Sequence, residues 1–344
     1  MKLEAAARRR IFRNAFLSLL IYVLPVLLMF LALCLTGQRP LGYRPSHPPG
    51  SLEHAVQSFQ AYGLSLFMLA LGAVEFSLGL YENHWNKNEK FLDIACFALP
   101  HLVTKPLTAY ATLKLLPLVL PGMKGSFDWV PFAWGFVIIC VADDLTQYWY
   151  HRLHHEVPWL WRFHRTHHSA PYMGMAMSSR QNLLYTFFFS QTYLTAALVY
   201  VGLGAPSIFA LVMKSVVTTM AHSSIRWDKP LYEHRLLHPL AWVLERLVST
   251  PATHHAHHAD RTDDGVGFYK GNFGNMFFLW DVIFGTALIT RRYPGSYGIS
   301  HYERDEWYAQ LLWPIVKSRV EGSELAADGP VVRQDIPKVR AQVA

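Results

Sequence analysis

The sequence predicts an all-helical, multi-pass membrane bundle. About six crossings or membrane-embedded hairpins carry a histidine-rich cap on the cytosolic face. Three observations predict it. Charged residues make up only 16% of the 344 positions against 52% hydrophobic, where a soluble domain carries about 25% charged. Uncharged runs occupy residues 14–35 and 181–213, 22 and 33 positions long. The 18 histidines are clustered, with six between 151 and 168 and four between 254 and 258. The net charge of +7 from 31 basic and 24 acidic residues does not require nucleic acid, because membrane proteins concentrate Lys and Arg in cytoplasmic segments. The three cysteines, Cys34, Cys96 and Cys140, lie in apolar stretches and form neither a disulfide framework nor a CxxC pair.

Each element follows in order. Residues 14–35 at 1.5 Å per residue reach about 33 Å, enough for a hydrocarbon core. Lys2, Arg8, Arg9, Arg10 and Arg13 precede them, which sets the N-terminus in the cytoplasm. A signal peptide has a shorter apolar region and a small-residue cleavage site, so this segment is read as a retained span. A second span covers roughly 59–80, with Glu75 near its end, and 81–90 is a polar loop. A third apolar region, 91–120, holds His101, Lys105, Pro106 and Lys114 and is either one tilted helix or a broken one. A fourth span runs from Trp129 to about Tyr150. The 181–213 run is too long for one crossing. Gly202, Gly204 and Pro206 divide it into a hairpin of about 183–203 and 206–221. This parity brings 151–168, His222 and 254–258 to one membrane face. Residues 231–248 form an interfacial amphipathic helix interrupted at Pro239, and 318–344 form a loose polar tail. The division expected is 1–127 as an N-terminal transmembrane region, 128–290 as a catalytic domain and 291–344 as a C-terminal polar tail.

The chemistry lies in three histidine clusters: His151-Arg-Leu-His154-His155, His164-Arg-Thr-His167-His168 and His254-His255-Ala-His257-His258. Neutral imidazole is the commonest metal ligand and suits Fe, Zn, Cu and Ni. Histidines at i and i+4 share a helix face, so His151/His155 and His164/His168 can each grip one ion. At 100° per residue Asp144, Tyr148, His151 and His155 fall within about 60° of arc, and His154 lies about 60° to one side. The stripe sets the Asp144 carboxylate behind the ligands, where such groups orient metal-bound histidines. Pro158 then ends the helix. A lone surface histidine pair usually does nothing, but three internal, spaced sets at the ends of membrane helices are read as ligands. His222, at the end of a span, is a further candidate. His234 and His238 are as well explained by snorkelling, and His47, His54, His84, His101 and His301 as structural or solvated. Other signatures fail: His155-Glu156 is not followed by the second histidine of HExxH, and no GxGxxG precedes a helix. His47-Pro48-Pro49-Gly50 only faintly echoes a haem motif.

The text Asp144-Leu-Thr-Gln-Tyr148-Trp149-Tyr-His151-Arg152-Leu-His154-His155-Glu156, continued by Trp161-Arg-Phe-His164-Arg-Thr-His167-His168-Ser169 and Thr250-Pro251-Ala-Thr-His254-His255-Ala-His257-His258, resembles the fatty acid hydroxylase/sterol desaturase superfamily of integral-membrane di-iron oxygenases. Asn272-Phe273-Gly274 and Trp280-Asp281-Val-Ile-Phe284-Gly285-Thr286 look like that family's closing motifs. The 32-residue gap between His222 and His254 is longer than the family pattern and leaves room for His234 or His238. The resemblance implies His151, His155, His164, His167, His168, His222, His254, His257 and His258 as ligands to two iron ions, with His154 and His255 outside the set. It implies Asp144 and Tyr148 as supporting catalytic residues and O2 as co-substrate. Hydroxylation or desaturation of a lipid C–H bond would follow, the lipid being a sterol, fatty acyl chain, sphingoid base, ether lipid or carotenoid. It also implies an external donor of the cytochrome b5 or ferredoxin type with its reductase, no nucleic acid, and residence in a bacterial inner membrane or the endoplasmic reticulum. Two other classes are open from the residues alone: a histidine-rich metal transporter, with ligands near the bilayer midplane, and a membrane zinc hydrolase, for which Glu156 is the nearby candidate acid. The aromatic and Met residues near the boxes (Trp159, Trp161, Tyr172, Met173, Met175, Met177) are read mostly as core.

Overall fold

The computed structural model describes residues 64–79, 86–188, 191–300, 304–327 and 329. The first expected span (14–35) with its basic flank, the start of the second, Cys34, His47, His54, His84 and His301 lie outside the described residues. Among those described, the secondary structure is helical without strands, and one isolated bridge joins Ala259 and Tyr297.

The chain divides into two compact units. Of the described residues, the first comprises 64–79, 98–141, 186–188 and 191–216. Its helices are α1 (Leu64–Leu78), α3 (Lys105–Val119), the start of α4 (Phe132–Glu156), α8 (Gln191–Tyr200) and most of α9 (Gly204–His222). Between α2 (Lys87–Leu99) and α3 the chain passes through a π turn, Pro100–Thr104, closed by the Lys105 amide on the Pro100 carbonyl. Pro106 cannot donate to the ladder, and the wider turn relieves the clash of its ring with the preceding turn. The 91–120 region is therefore helical with one π turn, rather than simply straight or broken. Helix α8 packs on α3, and the Tyr200 hydroxyl donates to the Leu120 carbonyl at 2.8 Å. Gly202 has φ 103°, and a Cβ there would meet the backbone and carboxylate of Asp128, so this turn requires glycine. The outside of the unit is apolar: Leu107, Tyr110, Leu115, Leu118, Trp134 and Ile138 are exposed. Exposed apolar area of this extent marks an interaction surface, and hydrocarbon suits it. Among the described residues, one helix, Gly204–His222, is by itself long and apolar enough to cross a membrane.

Of the described residues, the second unit comprises 86–97, 142–185, 217–300, 304–327 and 329 and holds every described histidine except His101. The C-terminal part of α4 carries the first cluster. Val157 leaves the helical region with φ −100° and ψ 113°, and Pro158 opens α5 (Pro158–His168), which carries the second. Proline is well suited to this first-turn position because its missing N–H has no intrahelical partner there. The third cluster lies on α12 (Pro251–His257), whose start is closed by a Thr250/Thr253 capping box and by the Ala252 amide on Asp228 at 2.8 Å. The 223–250 stretch runs through α10 (Lys229–Glu233), a 3-10 turn (Arg235–Leu237) and α11 (His238–Leu247). The break in the expected amphipathic helix thus falls before Pro239, which sits in the first turn of α11. Leu236, Leu240, Val243 and Leu247 are exposed, while Ala241 and Glu245 are buried. The short helices α6 (Met175–Ser178), α7 (Leu183–Phe188), α13 (Leu279–Phe284) and α14 (Trp307–Leu312) complete the framework.

The expectation of a loose tail from residue 318 fails for the described part. Ser318, Ser323 and Leu325 are buried, and Arg165 pairs with Asp305 at 2.7 Å and with Glu324 at 3.1 Å. The polar composition that suggested solvent serves instead to neutralise a buried guanidinium.

The six crossings expected from the sequence would set the histidine clusters and the 81–90 loop on one side. Lys87→Cys and Asp263→Cys, both at exposed positions, should label from the cytoplasmic face only in a Cys34→Ser background; Cys96 and Cys140 are buried and contribute little. Labelling of the two from opposite faces would refute the six-crossing topology.

Candidate metal centre

Nine histidine side chains converge in two groups. The first holds His151, His155, His164, His168 and His257; the second holds His167, His222, His254 and His258. Within each group one ligand atom per residue lies within 4.8 Å of every other, and all nine residues are buried. Helix geometry explains the sorting. On α4, His151 and His155 are one turn apart and face the same way. On α5, His164 and His168 face the first group, while His167, off that face, turns to the second. His257, the last residue of α12, and His258, its C-cap, divide in the same manner, and His254 lies four residues before His258. The groups adjoin: the His168 and His258 rings stack at 4.3 Å.

The hydrogen bonds fix the tautomers. His151 Nδ1 lies 2.7 Å from the Phe273 carbonyl and His257 Nδ1 2.7 Å from that of Gly271. His222 Nδ1 meets the Thr218 carbonyl at 2.7 Å, and His167 Nδ1 that of Arg180 at 3.2 Å. A carbonyl only accepts, so each of these Nδ1 atoms carries the proton and each Nε2 presents a lone pair. Yet Nε2 of His257 lies 3.1 Å from Nε2 of His151, and Nε2 of His222 lies 3.2 Å from that of His167. Two lone pairs at that distance repel unless a cation sits between them. Nitrogens about 2.1 Å from one ion at roughly 90–110° stand about 3.0–3.4 Å apart, which these separations match. In addition His155 and His164 have both ring nitrogens without a hydrogen-bond partner, as do His168 Nε2, His254 Nδ1 and His258 Nε2. Buried polar atoms are almost always satisfied, so imidazole rings that keep orphaned nitrogens while clustering in two tight groups fit a pair of metal ions.

Electrostatics agree with a neutral, ligand-ready set. Burial, opposed by the Phe273 hydrogen bond, pushes the His151 imidazolium pKa down to about 4. Burial and the neighbouring imidazoles hold His155, His164, His167, His168, His254, His257 and His258 well below the ordinary value.

The loop after α12 orients the first group. Asn272 adopts φ 55°, a left-handed conformation that asparagine tolerates, and the carbonyls on either side of it go to His257 and His151. Its side chain is held by the Thr253 and Leu288 carbonyls at 2.8 and 3.0 Å and by the Leu288 amide at 2.7 Å. The buried Asp281 carboxylate accepts the Phe273 and Gly274 amides at 2.8 and 2.6 Å and the Thr286 hydroxyl at 2.7 Å. Burial still raises its pKa to about 7 against those bonds. Asp144 accepts the Phe277 amide at 2.8 Å, the Met276 amide at 3.3 Å and the Trp280 indole at 3.1 Å.

Asp144 was expected directly behind the histidines; a loop stands between. Backbone carbonyls take the imidazole protons, and Asp144 and Asp281 brace the loop that supplies two of them. Tyr148 donates to the Thr286 hydroxyl at 2.9 Å and packs on Phe284 and Phe273, so it too positions rather than reacts. His154 turns to the Tyr150 carbonyl at 2.8 Å and His255 to Ser223 and Tyr297 at 3.1 Å each, both outside the groups. His222 joins its group across the long gap because 223–250 runs out and back; His238 bonds the Tyr232 carbonyl at 3.0 Å instead, and His234 is exposed. Trp161, Tyr172, Met173, Met175 and Met177 are buried, whereas Trp159 is 59% exposed. Sequence reasoning assigned no role to Asn272, Asp281 or Asp228. The first two lie in the closing motifs already quoted; nothing local marks Asp228.

Against this geometry, residues 136–286 match the fatty acid hydroxylase family, and the resemblance carried by the histidine boxes holds over that region. Similar curated proteins are an alkylglycerol monooxygenase of Danio rerio, 28% identical over 156 residues, and one of Xenopus tropicalis, 27% identical over 177 residues. These alignments cover 45% and 50% of this chain and 30% and 34% of the relatives; the chain thus spans about a third of the length of the curated proteins it matches. No solved structure matches.

The grouping predicts unequal consequences for adjacent residues. His155→Ala should cut bound metal from two ions per chain toward one and abolish turnover, whereas His154→Ala should retain both ions and most activity. Equal metal loss in the two variants, by elemental analysis, would overturn the grouping.

Acidity should release the metals. An unfolded imidazole takes up a proton near 6.5, while folded His151 does so only at about 4. Between those values the unfolded chain holds more protons, so stability falls as pH falls. Metal content and melting temperature should be flat above about pH 7 and drop steeply below about pH 6.5. Full retention at pH 5 after dialysis would contradict this.

Proposed function

We propose that this protein is a membrane-bound, di-iron, O2-dependent lipid monooxygenase. The observation that carries this reading is the pair of adjoining, buried groups built only of histidine, five in one and four in the other. Imidazole suits several metals, but attack on an unactivated C–H bond needs one that changes oxidation state, and zinc does not. Bound iron would supply the redox chemistry by which RH, O2, two electrons and two protons become ROH and water. The electrons come from a separate donor, for which a cytochrome b5 or ferredoxin with its reductase is proposed.

The residues of this chain have definite tasks in that scheme. His151, His155, His164, His168 and His257 would hold one ion, and His167, His222, His254 and His258 the other. The Gly271 and Phe273 carbonyls keep the Nδ1 protons of His257 and His151 and so keep their Nε2 lone pairs available. Asp281, Asp144 and Asn272 hold that loop, and Tyr148 and Thr286 hold Asp281. The packed rings of Phe273, Tyr148 and Phe284 exclude water from behind the first group.

The substrate class proposed is a lipid with a long alkyl chain, and the names of the similar proteins make alkylglycerol ethers the first to test. The family match and the apolar exterior of the first unit support residence in a membrane with several crossings and a cytoplasmic site. A zinc hydrolase would need an acid among the ligands; the groups contain none, and Glu156 is half exposed and paired with Arg152 at 2.8 Å.

The test is metal analysis of purified protein combined with 18O2 turnover. Iron-loaded protein supplied with a reduced donor should hold about two ions and transfer one labelled oxygen into an alkylglycerol. An unlabelled alkene product would mean desaturation. O2-independent hydrolysis, or metal transport without O2 uptake, would refute the oxygenase reading.

A further inference from the structure

Helix α2 lies outside the family match, yet two of its acids reach the second unit's interior. Glu89, on its first turn, and Asp93, one turn later, are buried. Both pair with Arg180, itself fully buried: Nη1 meets Glu89 Oε2 and lies 3.4 Å from Asp93 Oδ1. The Tyr172 hydroxyl donates to Asp93, and Arg180 Nη2 donates to Ser169 Oγ at 3.0 Å. A guanidinium with no exposed surface cannot remain charged without such partners. The chain tolerates this expense where a hydrophobic residue would pack more cheaply.

The backbone of the same residue supplies a reason. The Arg180 carbonyl is the acceptor for His167 Nδ1, and His167 Nε2 faces His222 Nε2 across the second histidine group. Residues 179–182 form no helix or strand that would fix that carbonyl. It is located by what its neighbours hold: the Arg180 side chain by Glu89, Asp93 and Ser169, the Arg180 amide by the Met177 carbonyl at 2.9 Å, and Asn182 by the Gln310 and Trp313 carbonyls at 3.1 and 2.8 Å. Neither Gly271 nor Phe273, the acceptors of the first group, takes part.

We propose that Glu89, Asp93 and Arg180 are positioning residues for the second histidine group alone, acting through the Arg180 carbonyl on His167. The role rests on the reading that each group holds one ion. By it, the segment before the catalytic region completes the second site, and the two sites take their orientation from different parts of the chain: the first from the 271–281 loop, the second from α2. Acceptors behind metal-bound histidines change affinity by about 10–100-fold when lost. The effect here should fall on one ion.

Full-length metal-free protein titrated with Co(II), followed by visible absorption, tests this. Wild type should bind about two ions. Glu89→Gln and Asp93→Asn should keep the first with unchanged affinity and bind the second about 10–100-fold more weakly; Arg180→Lys, which keeps a cation but cannot bridge three acceptors, should behave alike. Melting curves of the metal-free variants separate local from global effects: a folded variant that loses both ions equally overturns the proposal, as do two unchanged affinities. A variant that fails to fold is replaced in the titration by Tyr172→Phe, which removes one bond to Asp93 and should weaken the second ion only. Two ions in wild type with unaltered variants sink the positioning role alone, whereas fewer than two in wild type sink the two-metal reading and this role with it.

Discussion

Nine imidazoles buried together without a carboxylate among them set the constraint on which the second unit is built. Desolvation keeps them neutral, and a neutral imidazole has one proton to place. Where a backbone carbonyl claims that proton at Nδ1, the Nε2 lone pair must point elsewhere. For His151, His257, His167 and His222 it points at a partner's lone pair. A cation between those lone pairs would relieve the repulsion and stabilise the core, which would couple folding, metal binding and acidity through the same atoms.

The framework around the histidines can be understood as a means of holding carbonyls. The four acceptors come from three places: the 271–273 loop gives two, α9 gives Thr218, and the chain after α6 gives Arg180. Loops do not hold carbonyls rigidly by themselves. Buried carboxyl groups and one guanidinium do so here, with Asp281 and Asp144 bracing one loop and Glu89, Asp93 and Arg180 the other. Breaking one partner of such a network leaves an uncompensated charge inside the protein, a cost of about 3–5 kcal/mol. The C-terminal stretch belongs to the same scheme: the Thr166 and Ser169 hydroxyls, flanking His167 and His168, donate to Gln310 at 3.0 and 2.7 Å, and Arg165 is neutralised by Asp305 and Glu324.

The first unit is simpler physically. Its exterior is made largely of exposed Leu, Trp and Tyr side chains. The π turn at Pro100–Thr104 and the glycine at 202 are local answers to proline and to a close approach.

Much of this was legible in the residues. Helical class and apolar character follow from composition and 3.6-residue periodicity, and the i, i+4 pairs His151/His155 and His164/His168 from helix spacing, a local property; the set of nine histidines follows from the family resemblance of the motif text. Tertiary structure decided which histidine belongs to which group, since α4, α5 and α12 must be docked before His167 and His168 can be told apart. It also decided that His222 bridges a long sequence gap, that Asp144 braces a loop rather than an imidazole, and that polar residues near 318–327 pack inside. The decisive acceptors are backbone carbonyls, which every residue possesses and no motif distinguishes. The buried acids that matter most, Glu89, Asp93 and Asp281, look from the sequence like ordinary charges on helices. Only the folded chain removes them from water, and that removal gives them their role.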